Sequence, residues 1–184
     1  MKHPTAIRPA EGEYLNYYGK YIALVPEHEA LPALERQGEA MFPFLRGLSE
    51  EQGALRYAPG KWSIKQIIGH VTDGERVFGY RALRFARADA TPLPGFEEND
   101  WVANATFDRQ PLSELVDHLE HVRASTLALL RGLEADAWTR RGDANGAAVT
   151  VRALAFIIAG HGYHHMGGIR DRYLAGARMS AVQP

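Results

Sequence analysis

Apolar side chains recur at alternating steps of three and four through four long stretches of this chain. That period limits the fold more than any other feature. It places one apolar stripe on each of four helices, and no sustained two-residue alternation argues for strands. The first stripe is Leu31, Leu34, Gly38, Met41, Leu45 and Leu48. The second is Ile64, Ile68, Val71, Glu75, Phe78, Ala82 and Phe85. The third is Leu112, Leu115, Leu119, Val122, Thr126, Leu129 and Leu133. The fourth is Leu154, Ile158, His161, His165, Gly168 and Arg172. Four amphipathic helices of this length predict an all-α fold, a four-helix bundle.

The boundaries follow from local chemistry. Pro32 suits a first turn, whereas Pro43 predicts a kink or break in helix one. Gly47 and residues 49–53 mark its end. Ser63 followed by Gln66 is a capping box that opens helix two, which should run to about Ala88. Residues 89–110 carry Pro92, Pro94, Gly95 and Asn99 and form a long connection between helices two and three, placed to cross the bundle or cover a site. Helix three begins near Pro111. Residues 134–149 are broken by Gly142 and Gly146. Thr150 caps helix four, which should run to about Ala175 and stop at Gly176. Residues 1–184 read as a single domain, with residues 1–26 as an N-terminal extension packing on the bundle.

Composition removes several function classes. The chain has 184 residues, 46% hydrophobic and 23% charged, enough for one core. Lys plus Arg is 21 and Asp plus Glu is 22, so no basic excess recommends nucleic acid as a partner. No stretch approaches the ~20 apolar residues that span a bilayer, and the N-terminus lacks a signal-peptide pattern. A cytoplasmic location is expected. The absence of cysteine excludes thiolate nucleophiles and Cys-ligated metal. Eight histidines remain, five of them in the second half.

Two of these, His161 and His165, occupy positions where the fourth stripe calls for core residues. Residues four apart on a helix differ by ~40° in direction and ~6 Å in height, so both imidazoles can reach one metal. His164 falls on the other side of the stripe and ranks second as ligand. Gly160, Gly162, Gly167 and Gly168 imply close packing or room for a ligand, since each costs about 1 kcal/mol of helix stability against Ala. The competing reading is a pair of hydrogen-bonded core histidines. It must supply a partner for two nitrogens of each ring, which a metal halves. A third ligand must come from another helix, and His70 beside the second stripe is the candidate. Three neutral histidines leave a coordination position for water or substrate.

These residues carry a resemblance. The run APGKWSIKQIIGH at residues 58–70, its continuation to Ala88, the segment PLPGFEENDW at residues 92–101 and HGYHHMGGI at residues 161–169 resemble the DinB/YfiT-like superfamily. The likeness covers roughly residues 25–175. It implies a four-helix bundle with one divalent metal ion, zinc or nickel, on three histidines that match His70, His161 and His165. It also implies a homodimer and, in some relatives, S-transfer from a low-molecular-weight thiol. Two positions depart from the pattern. Pro43 lies inside helix one, and Gly168 stands where many members carry Gln.

Other residues have two readings. Asp73 is placed to orient His70, and Glu75, on the inward stripe, to act as a base on bound water. Either equally suits a salt bridge with Arg76 or an arginine of a neighbouring helix. Asp100 is placed to reach the open end of the bundle or to cap a turn. Glu114, His118 and His121 have ligand spacing, but their charged neighbours favour a solvated face. Tyr14, Tyr17, Tyr18 and Tyr21 suit a substrate pocket, core packing or a dimer contact. His3 and His28 read as surface residues. Arg170 and Arg172 suit the negative pole of helix four, with an anionic substrate as the weaker reading. The expected function is a metal-dependent hydrolase or thiol S-transferase acting on a small molecule. The alternative is a non-catalytic metal- or ligand-binding stress-response bundle.

Overall fold

The computed structural model describes residues 6–175. His3 and the helix stop at Gly176 lie outside the described residues. Four long helices make the bundle: α2 (Ala30–Arg46), α4 (Ile64–Ala86), α6 (Leu112–Arg131) and α7 (Val151–Gly168). Shorter helices are α1 (Gly19–Ile22), α3 (Glu50–Gly53) and α5 (Glu98–Asn104). A hairpin of β1 (Arg141–Ala144) and β2 (Ala147–Thr150) precedes α7.

Each long helix begins and ends for a visible reason. Ser63 accepts a hydrogen bond from Gln66 N while the Gln66 side chain accepts from Ser63 N, the reciprocal cap of α4. The same motif at Ser49 and Gln52 starts α3, an element the sequence pattern marks only as the end of helix one. Thr150 Oγ1 accepts from Ala153 N at the start of α7. α4 stops at Ala86, two residues short of the expected end, because Ala88 turns to φ 57°.

Three expectations are corrected. α2 continues through Pro43 instead of breaking. Pro43 and Glu39 are both exposed, so water can serve the carbonyl that the proline leaves without a donor. Residues 134–149 are not merely an interrupted loop. They contain a 3₁₀ turn (Ala135–Thr139) and the antiparallel hairpin, in which Ala144 pairs with Ala147. Asn145 and Gly146 both have positive φ, as a two-residue hairpin turn with the twist of type I′ requires. Finally, α7 gives way at Gly168 to a π-helical turn, Ile169–Leu174.

The core falls into two apolar clusters, stacked along the bundle. One gathers Leu34, Phe78, Phe85, Trp138, Leu154, Phe156 and Ile157. The other gathers Met41, Ile64, Ile68, Leu115, Leu119, Met166 and Ile169. Between them every long helix contributes a polar side chain: Gln37 from α2, His70 and Glu75 from α4, Arg123 from α6 and His161 from α7, all buried. The third stripe is therefore shifted in its later half, with Arg123 and Leu130 facing inward where the period places Val122 and Leu129. No described helix is long and apolar enough to cross a membrane.

Candidate metal centre and its cavity

α4 and α7 meet closely because small residues line their contact. A Cβ at Gly74 would lie 3.1 Å from Cε1 of His161, so the glycine leaves room for that ring. A Cβ at Gly160 would collide with the backbone carbonyl of Tyr21, and one at Gly162 with the Gln37 side chain. Close packing therefore explains these two glycines. A methyl added at Gly167 would meet nothing within 4 Å, so that glycine faces open space.

The approach brings three imidazoles together. His161 Nε2 lies 3.1 Å from His70 Nε2 and 3.0 Å from His165 Nε2. One ligand atom from each of the three falls within 4.8 Å of the others. Donors held ~2.0–2.1 Å from one ion stand ~2.9 Å apart at right angles and ~3.3 Å apart at the tetrahedral angle. The observed spacings lie between these values. Hydrogen bonding among the rings is a poorer account, since one nitrogen of His161 would have to serve both neighbours. Burial pushes His161 and His165 well below the ordinary imidazole range. It also lowers His70, against the opposing charges of Glu98 and Asp73. Neutral rings keep a lone pair available, as metal ligation requires. Trp62 packs on His70 with centroids 4.8 Å apart, and Tyr21 stands edge-on to His161 at 5.5 Å.

A cavity of about 350 Å³ opens onto His70 and His161. Tyr17, Tyr18 and Tyr21 form one wall, Phe78 and Arg81 of α4 another, and Phe96, Glu97 and Glu98 the third. The hairpin positions that third wall: Leu93 N donates to Asp143 O and Asn145 N to Leu93 O. Asn145 itself lines the cavity. The Tyr21 phenol is held protonated, since burial raises its pKa.

The remaining candidates are distributed as follows. Glu75 gives both carboxylate oxygens to Arg123, at 2.8 and 2.9 Å, in a pair almost entirely buried. Asp73 pairs with Arg76 at 2.9 Å. His164 is exposed and edge-on to Tyr21. Asp100 is exposed in the first turn of α5 and does not line the cavity, unlike Glu97 and Glu98 beside it. Glu114, His118 and His121 are exposed on α6. His28 is exposed, as expected of a surface residue. Arg170 and Arg172 lie over the rings of Phe44 and Tyr57. Sequence reasoning missed Arg81 and Glu98. The signal for Arg81 was its place on the helix face through His70, Gly74 and Phe78, whereas Glu98 reaches the cavity only through the folding of its loop.

Residues 33–169 match the family model of the DinB superfamily. The chain belongs to the DinB superfamily. A relative from Geobacillus thermodenitrificans named "Putative metal-dependent hydrolase" is 29% identical over 145 residues, 77% of this chain and 80% of its own. A similarly named relative from Oceanobacillus iheyensis is 23% identical over 78% of this chain and 83% of its own. Among solved structures, YfiT from Bacillus subtilis, titled a probable metal-dependent hydrolase with an unusual four-helix bundle topology, superposes with a TM-score of 0.67. It is 17% identical and the match covers 92% of this chain and 93% of YfiT. The mycothiol-dependent maleylpyruvate isomerase matches with a TM-score of 0.62 and 17% identity, over 74% of this DinB-superfamily chain and 58% of the isomerase. Both likenesses establish the four-helix-bundle fold.

Proposed function

We propose that this protein is a metal-dependent hydrolase in which His70, His161 and His165 hold one divalent ion, zinc or nickel. The observation that carries this is the convergence of three neutral imidazoles, two buried and His165 half-buried, beside a cavity that His70 and His161 line. When bound, the ion supplies Lewis acidity that polarises a carbonyl and lowers the pKa of water. The chain does the rest. Phe78, Tyr18 and Tyr21 exclude bulk water and present apolar walls to a small molecule. Glu98, half-buried on the cavity, can take a proton at its carboxylate. Glu75 is not assigned this role, because Arg123 holds both of its oxygens.

The same site suits a second reaction, transfer of a low-molecular-weight thiol to an electrophile. The absence of cysteine favours this reading in one respect, since a sulfur nucleophile must then enter as cosubstrate, and the cavity has room for one.

The test begins with metal analysis of untagged protein beside His70→Ala and His161→Ala. About one ion per chain, lost in both variants, is expected. Loaded protein should then accelerate members of a panel of ester and amide hydrolyses or thiol conjugations. An ion retained by both variants would move the site elsewhere, and a loaded protein inert across the panel would leave a binding bundle without turnover.

A further inference from the structure

Arg81 is 4% exposed, yet no carboxylate lies within ion-pair distance of it among the described residues. A guanidinium taken out of water is costly unless a counter-charge meets it. The buried arginine Arg123 has such a counter-charge in Glu75. Arg81 has only weaker company. One N–H group donates to Pro94 O at 2.8 Å. Its Cζ lies 5.8 Å from the Phe78 ring centroid, and it stands against the Tyr18 hydroxyl. The residue lines the cavity above His70 and His161. It also lines a neighbouring apolar groove with Val77, Leu93, Phe96 and Trp101. Phe78 packs against both Arg81 and His161, its ring centroid being 6.1 Å from that of His161 and 5.8 Å from Cζ of Arg81.

We infer that Arg81 anchors a carboxylate of the substrate, so that this site selects small monoanionic acids that carry their reactive group one ring-width from the anion. This deepens the reading proposed above and rests on it for the reactive end of the molecule. Monoanionic is the class that fits, because Arg81 is the sole cationic side chain on the cavity among the described residues while Glu97 and Glu98 also line it. A dianionic phosphate would meet two carboxylates with one guanidinium to offset them. Glu97 is exposed and Glu98 half-buried, so solvent screens them more than it screens Arg81. The planar fork of arginine matches a carboxylate bidentately, and the groove beyond it takes an apolar body.

The test uses hippurate and its uncharged amide, hippuramide, as probes of equal shape. Binding to the purified protein is measured by calorimetry, once metal-loaded and once after chelation. Hippurate should bind at least tenfold more tightly than hippuramide in both states, since Arg81 does not depend on the ion. Arg81→Met should abolish that preference while metal content stays at the parent's value. Equal binding of the two probes to the parent protein overturns the inference, and that comparison needs no folded variant. So does an Arg81→Met protein that keeps the preference. A parent that binds no metal yet still prefers hippurate would refute the metal reading and leave the anion site standing.

Discussion

The residue that best shows how position decides role is Glu75. On the sequence it is a carboxylate on an inward stripe, five residues from the candidate ligand His70, and therefore a candidate base. In the structure it turns from the cavity to Arg123, whose Nη1 also donates to Leu34 O and Gln37 Oε1. Side-chain exposures of 2% and 3% put this pair beyond the screening that weakens surface bridges. Glu75→Gln should therefore cost about 3–5 kcal/mol, because it strands a buried guanidinium. Glu75→Leu with Arg123→Met should recover much of that loss. Urea unfolding of the single and double variants measures both, and a double variant no more stable than the single would contradict the account. Arg123 was hidden for a simple reason. Charged residues are read as solvent-facing, and nothing in one sequence says that this one has a partner on another helix.

At the scale of elements, α2, α4 and α6 were legible because one buried face imposes a helical period on them, whereas α7, buried continuously from Ala153 to Gly162, was legible from its length and its cap. The caps were legible as well, since Ser63, Gln66 and Thr150 act within four residues of themselves. The hairpin was not read, although Asn145-Gly146 is a strong local turn signal. Its strands are four residues each, too short for alternation to register, and the two glycines suggested a break. The cavity wall of residues 93–98 was legible only as a long connection, because its placement depends on hydrogen bonds to that hairpin.

Two predictions belong to elements. The N-terminal segment is tied to α7 by Glu13, which accepts from Thr150 Oγ1 at 2.8 Å and from Arg152 Nε at 2.7 Å. The Arg152 guanidinium holds the Glu13 carboxyl down to about 2, from an ordinary value of 4.5. A depressed carboxylate stabilises the fold fully above its unfolded pKa and loses that contribution as pH falls through the folded value. Wild type should therefore exceed Glu13→Gln in urea midpoint by a constant margin above about pH 5.5, and the margin should shrink as pH falls toward 2. A margin unchanged at pH 2.5 would remove the ion pair as its source. The second prediction concerns α1 and α7. A methyl at Gly160 meets backbone rather than a yielding side chain, so Gly160→Ala should cost about 1–3 kcal/mol by overpacking despite its better helix propensity. Thermal unfolding would show it, and a stabilised Gly160→Ala protein would contradict the contact.

For the whole molecule, an ion held in the polar layer between two apolar clusters would couple metal binding to the fold. A ligand that binds only the folded state stabilises it by about 2.7 kcal/mol at a hundred times its Kd. For a chain of this size that corresponds to a rise of about 5–11 °C in Tm. Zinc or nickel at that excess should produce such a rise in the chelated protein, and none in His161→Ala. Scanning calorimetry with and without added ion decides it.

The aromatic wall of the cavity has a further consequence. Tyr17, Tyr18 and Tyr21 precede residue 33, where the match to the family model begins, whereas the three imidazoles all lie within it. The candidate metal ligands and this part of the cavity wall are thus carried by separable stretches of one polypeptide, while Phe78 and Arg81 of the wall lie within the match. A chimera that takes residues 6–26 from another member of the superfamily is expected to keep its ion stoichiometry and change which molecules it accepts. Reaction type and the Arg81 contact would be inherited with the bundle, and the shape of the mouth with the short segment that wraps it.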